Sequence, residues 1–188
     1  TDPRLRTLLL VAGGLGVLTV GDGFVYLALL DHGGFAAAWF PMLYVGTNVA
    51  YLSLAVPLGR LADRVGRTRM LVSGHVALAA AYLVATLPGW TALTTVGTLL
   101  LLGVFYAATD GVTAALAGTL VPVQARASGI GAAQTVVAVA RMVASFGFGF
   151  LWLLLGPSTA LTVVAALLLV AVALAATRVP RLDRAVTS

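Results

Sequence analysis

Six apolar runs, each long enough to cross a bilayer as a helix, follow one another along this chain. They cover residues 8–30, 40–58, 70–87, 91–121, 127–155 and 158–177. A hydrocarbon core of about 30 Å takes about 20 apolar residues in a helix, and a soluble fold has no way to hide six such runs. Charged residues make up 9% of the chain, against about 25% in soluble domains. Too little polar surface exists to cover a core of that composition in water. Disordered chains, coiled coils and soluble enzymes are excluded on the same ground. The alternating pattern of a membrane barrel is absent, and unpaired backbone is not tolerated in lipid, so every run reads as a helix. The expected fold class is an all-α membrane protein with six transmembrane helices.

Turn chemistry separates the runs. Asp31-His32-Gly33-Gly34 follows the first, Pro88-Gly89 ends the third, and Gly156-Pro157 divides the fifth from the sixth. No break is long enough for a linker, so residues 1–188 are expected to form a single bundle. The first run is too long for a signal peptide, contains Asp22 and lacks a small-residue cleavage site. The chain begins with Thr1 rather than Met, which suggests a piece of a longer polypeptide or a processed chain.

The charges are sorted by loop. The chain has eleven Arg and no Lys. Arg4 and Arg6 precede the first run, and Arg60, Arg64, Arg67 and Arg69 lie between the second and third. Arg126 lies between the fourth and fifth, and Arg178, Arg181 and Arg184 follow the sixth. The alternate connections contain no Arg, so ten of the eleven fall on one side. The positive-inside rule makes that side cytoplasmic and places both termini there. This sorting accounts for the net charge of +5 without a nucleic-acid partner. Arg without Lys, and Asp without Glu, is the bias of GC-rich coding, which points to a bacterial inner membrane.

Several chemistries lack their residues. With no Cys there is neither disulfide nor thiolate chemistry. Two His and no Glu leave most zinc sites out of reach, so no metal or cofactor is expected. Six spans would suit an intramembrane serine protease. However, Ser73 and His75, the one close Ser–His pair, are two apart on a helix and do not face each other. No enzyme activity is expected.

The second-to-third connection reads Gly59-Arg60-Leu61-Ala62-Asp63-Arg64-Val65-Gly66-Arg67-Thr68-Arg69. It reads as a tight loop, with Gly59 and Gly66 permitting close approach and a turn and Asp63 paired to one of its Arg neighbours. The run resembles the signature loop of the major facilitator superfamily, G-x-L-A-D-R-x-G-R-[KR]. Gly59, Leu61, Ala62, Asp63, Arg64, Gly66 and Arg67 match; Thr68 departs from the pattern, and Arg69 follows it. The motif also falls between the second and third of six spans, where the family carries it.

The resemblance implies one half of a twelve-span transporter. Its six helices would form two three-helix inverted repeats, about 4–87 and about 91–178. The run from Tyr106 to Gly131 and the entry Asp2-Pro3-Arg4-Leu5-Arg6 are similar to the C-terminal half of family members. The implied activity is secondary active transport of a small molecule by alternating access, with proton-coupled efflux foremost. Asp63 and Arg64, with Gly59, Gly66, Arg67 and Arg69, would form a cytoplasmic gating motif. The partners implied are the lipid bilayer, a small-molecule substrate, protons and a second six-helix half, from the same longer chain or a second copy. A half that does not transport, or works as a homodimer, is the alternative.

Ionisable residues at bilayer depth cost a few kcal/mol and mark candidate sites. Asp22, Asp110 and Arg141 are the three inside the runs. At about 1.5 Å per residue they lie at similar mid-depth, with Asn48 alongside. Asp22-Gly23 and Asp110-Gly111 open the same pattern in the leading helices of the two implied repeats. Glycine beside the carboxylate is expected to loosen both helices, the best sequence pointer to a transporter site. Asp22 and Asp110 would face the cavity and take a proton or a cation, with Arg141 neutralising a carboxylate or meeting an anionic group. A static buried Asp–Arg pair is the competing reading. Gln134 lines the cavity or bonds a neighbouring helix. His75 reads as a packing or interfacial residue, and Gly129-x-Gly131 and Gly147-x-Gly149 as close-packing or hinge positions. Trp39, Trp90 and Trp152 read as an interfacial belt.

Overall fold

The computed structural model describes residues 3–33, 36–87 and 91–178. Gly34, Pro88, Gly89, Trp90, Arg181 and Arg184, used above for turns, belt and topology, lie outside the described residues, as do Thr1 and Asp2. So do the side chains of Arg4, His32, Gly33 and Arg178.

Every regular element among the described residues is helical. In chain order these are α1 (Pro3–Gly16), α2 (Asp22–Gly33), α3 (Phe40–Val65), α4 (Arg67–Ala85), α5 (Thr91–Thr119), α6 (Arg126–Leu155) and α7 (Pro157–Arg178). Short 3-10 turns at Ala37–Trp39 and Val123–Ala125 lead into α3 and α6. Five helices, α3 to α7, are long and apolar enough to cross a membrane. The remaining run differs from expectation: it is two shorter helices, α1 and α2, separated by residues 17–21.

Local chemistry accounts for that break. Gly16 and Gly21 bracket Val17-Leu18-Thr19-Val20, a stretch of mainly β-branched residues, which fit a helix less well than Ala or Leu. The amides of Leu18 and Thr19 tighten to the carbonyls of Leu15 and Gly16, and the Thr19 hydroxyl donates to Leu15 O at 3.0 Å. The Val20 amide, freed from the helical ladder, donates to the hydroxyl of Tyr82 on α4 at 2.8 Å. A break at membrane depth survives only where side chains take over such groups, and Tyr82 is fully buried for that purpose.

Packing sets the ends of the bundle. One apolar cluster joins Leu5 and Leu8 of α1, Ala62 of α3, Met70 and Leu71 of α4, Leu116 of α5 and Ala133 of α6. The start of α1 also meets the end of α7 around Thr7, Ala175 and Thr177. The helix ends that carry Arg6, Arg60, Arg64, Arg67, Arg69 and Arg126 therefore gather at one end of the bundle. The second cluster, with Tyr26, Tyr82, Phe105, Phe148 and Leu161, holds α2, α4, α5, α6 and α7 together.

Small residues let the helices approach where lipid offers no hydrophobic drive to associate. A Cβ on Gly103 of α5 would stand 2.5 Å from Ala50 Cβ and 2.9 Å from the α3 backbone. On Gly74 of α4 it would stand 2.8 Å from Thr109 Cγ2 of α5. Of the glycine pairs singled out in the sequence, Gly129 is a close contact, its Cβ position lying 2.9 Å from Val121 Cγ2. Gly131 and Gly147 face open space.

Candidate functional site

The signature run is not a loop. α3 continues through Gly59 to Val65 and α4 starts at Arg67, so Gly66 alone joins them, at φ 101°. That backbone conformation suits only glycine. Gly59 makes no turn and no close contact. It sits within α3 with nothing within 4 Å of its Cβ position, so the expectation of a turn and close approach there is corrected. Asp63 accepts hydrogen bonds from Arg67 Nε at 3.2 Å and Nη2 at 3.1 Å, one helical turn on and across the joint. Both side chains are well exposed. Arg64 and Arg69 are exposed too, whereas Thr68, the departure from the pattern, is fully buried.

The break in the first run places Asp22 as the first residue of α2. A carboxylate there faces the positive end of the helix dipole. Tyr106 of α5 donates its hydroxyl to the carboxylate, 2.9 Å from each oxygen. The Tyr26 hydroxyl, 3.4 Å from Oδ2, also lies 2.8 Å from Thr47 Oγ1 of α3. Asp22 is thus held by phenols, and no ion pair joins it to an Arg among the described residues.

Asp110 lies one helical turn beyond Tyr106, on the same face of α5. The expectation that Asp110-Gly111 loosens its helix is corrected: α5 runs unbroken from Thr91 to Thr119. The Gly111 Cβ position faces open space, so the glycine leaves no packing defect. Arg141 Nη2 lies 3.9 Å from Asp110 Oδ1, at the outer limit of an ion pair. About half of the Asp110 side chain and a third of Arg141 are exposed. The Asp–Arg pair of the competing reading is thus present, but loosely held. The guanidinium also stands over the rings of Phe105 and Tyr106, 5.7 Å from each centroid. Its Nε is buried without a hydrogen-bond partner among the described residues.

Two cavities meet at Asp110. The larger, about 420 Å³, is lined by Thr19, His75, Thr113, Gln134, Ala138 and Arg141 besides Asp110. The smaller, about 230 Å³, is lined by Asp22, Tyr44, Thr47, Asn48, Tyr51 and Tyr106 with Asp110. The five residues singled out from the sequence therefore come together: Asp22 and Asn48 on one side, Gln134 and Arg141 on the other, Asp110 shared.

Sequence reasoning missed the tyrosines. Tyr44, Thr47, Asn48 and Tyr51 recur at i, i+3, i+4 and i+7, and Tyr106 and Asp110 at i, i+4, spacings that put each set on one helix face. That periodicity was the available signal. His75 is buried and stacks edge-on against Phe105, with ring centroids 5.2 Å apart. It is a packing residue, as expected, but it lies on the larger cavity rather than at an interface. Its Nδ1 lies 2.8 Å from Leu71 O. A carbonyl can only accept, so Nδ1 carries a proton and donates it to Leu71 O. Trp152 packs on Phe24 and Phe148, with centroids 5.7 and 5.8 Å away, whereas Trp39 is half exposed.

The family model of the Major Facilitator Superfamily matches residues 17–187. No curated protein and no solved structure matches the chain.

Proposed function

The chain belongs to the Major Facilitator Superfamily, a multi-pass membrane transporter type, and from that premise we propose one half of a proton-coupled secondary transporter. It moves a small molecule by alternating access, as efflux in exchange for protons. The observation that carries this reading is the placement of the two carboxylates. Asp22 at the broken first span and Asp110 on α5 open into one cavity, and Asp110 also opens into a second that Arg141 lines. A broken helix aimed at a polar site is how transporters of this construction bind ions and substrates.

On this reading α1 to α4 and α5 to α7 are the two inverted three-helix repeats, with α1 and α2 counting as one span. The Arg-rich end is cytoplasmic, in a bacterial inner membrane, with both termini on that side. Asp110, Gln134 and Arg141 are too exposed to face hydrocarbon, which supports a second six-helix half covering them. The Asp63–Arg67 pair makes and breaks as the cytoplasmic gate moves. An exposed pair worth under about 1 kcal/mol suits a latch that must open.

Because these 188 residues contain no cysteine, alternating access can be read by labelling once any cysteine elsewhere in the full polypeptide is replaced. Ala138, exposed and on the larger cavity, is replaced by Cys in the full polypeptide in sealed vesicles. A membrane-impermeant maleimide should reach it from either face of the membrane. Labelling from one face only, with or without a pH gradient, would overturn alternating access.

A further inference from the structure

We propose that the smaller cavity selects a monovalent organic cation with a flat aromatic body, and that Arg141 is the resident cation such a substrate competes with. The proposal rests on the transporter reading above and adds the substrate class.

Three features of the cavity point this way. Its walls are aromatic: Tyr44, Tyr51 and Tyr106 all line it, and the Tyr51 and Tyr106 rings stand nearly perpendicular, with centroids 6.5 Å apart. A flat ring fits an aromatic corner of that kind, and the ring faces attract positive charge. Tyr106 is already used in this way, carrying the Arg141 guanidinium 5.7 Å from its centroid. Its hydroxyl donates to the Asp22 carboxylate, which pushes electron density into the ring and strengthens its hold on a cation.

The second feature is charge. The titratable groups lining the two cavities are Asp22 from α2, to which buried Tyr26 donates, Tyr44 and Tyr51 from α3, and His75 from α4. Tyr106 and Asp110 come from α5 and Arg141 from α6; α7 lines neither cavity. Setting His75 aside, the described lining of these 188 residues holds two carboxylates and one guanidinium, so this half of the site is short of one positive charge when both carboxylates are ionised. A proton or a monovalent cation supplies it, and the two compete. The third feature is that Arg141 is held loosely, 3.9 Å from Asp110. Asp110, which lines both cavities, can turn from Arg141 to an incoming cation without breaking a tight pair.

The test uses the full polypeptide in lipid nanodiscs and tritiated 1-methyl-4-phenylpyridinium as the probe. The unlabelled compound should displace the tritiated probe at least about tenfold better than two molecules of the same outline, neutral 4-methylbiphenyl and anionic biphenyl-4-carboxylate. Binding should weaken as pH falls from 8 to 5. Asp110→Asn should weaken it about tenfold and Asp110→Glu restore it, while Arg141→Gln should tighten it. Damage to packing would move all the variants the same way. Absence of saturable binding, equal competition by the neutral compound, or preference for the carboxylate would each overturn the proposal. Maleimide labelling of the Ala138→Cys protein in sealed vesicles separates the two failures. Two-sided labelling without cation binding leaves the transporter reading standing and this one refuted. Cation binding with one-sided labelling does the reverse.

Discussion

Replacing Tyr82 by Phe removes one oxygen atom and isolates the device that keeps the first span broken. Tyr82 is fully buried, Val20 is 2% exposed, and the Val20 amide donates to the Tyr82 hydroxyl at 2.8 Å. The substitution keeps the ring and its packing but leaves a buried donor unpaired, at a cost of about 1–3 kcal/mol. For a chain of this size about 1 kcal/mol moves the melting temperature by about 2–4 °C. The expected drop is therefore between about 2 and about 12 °C, read by thermal unfolding of the purified protein in detergent. A second perturbation identifies the bond. Replacing the Val20 amide by an ester, through incorporation of the α-hydroxy acid, deletes the same donor from the other side. In the ester background Tyr82→Phe should cost much less than it does alone, since the partner it abandons is already gone. A wild-type-like melting temperature for Tyr82→Phe, or full additivity of the two changes, would refute the claim that Tyr82 sustains the break.

The glycines of the signature run should separate. Gly66→Ala forces a side chain to φ 101° and should cost about 1–3 kcal/mol. Gly59→Ala, in a helix interior facing open space, should gain about 0.5–1 kcal/mol; thermal melts of the two variants decide. Gly103→Val drives a side chain into the α3 backbone and should cost about 1–3 kcal/mol or more by the same assay; a neutral result would mean that α3 and α5 do not pack this closely. Asp63→Asn should change stability by less than about 1 kcal/mol, because the pair with Arg67 is exposed. A larger loss in the melt would point to a structural rather than a gating role.

What the sequence disclosed followed from physics that acts along a single helix. Run length gave five of the spans to within a few residues at most ends, and Arg placement matched the end at which the helix termini gather. Depth arithmetic grouped Asp22, Asn48, Asp110 and Arg141, and these line one pair of cavities together with Gln134. What it hid depends on partners across helices. The break at 17–21 stays apolar, so hydropathy runs straight through it, and the group that permits it, Tyr82, is about 60 residues away. The Asp110-Gly111 pair carries the same letters as Asp22-Gly23 but lies in an unbroken helix. The signature run looked like a loop because it is polar, yet charged residues form helix readily once they face water. The aromatic walls were written at i, i+3, i+4 and i+7 in α3, a signal easily passed over within a run, 40–58, that carries no charge.

The central claim, that Asp22 and Asp110 link substrate movement to protons, is tested most directly in proteoliposomes of the full polypeptide. A substrate is first identified by counterflow from a mixed panel of organic cations, anions and neutral compounds. Its accumulation against a gradient, driven by a pH difference, is then compared with counterflow at equal pH on both sides. Asp22→Asn and Asp110→Asn should lose the pH-driven accumulation, with counterflow surviving in at least one of them. Accumulation at the wild-type level by both variants, at every pH tested, would contradict the claim.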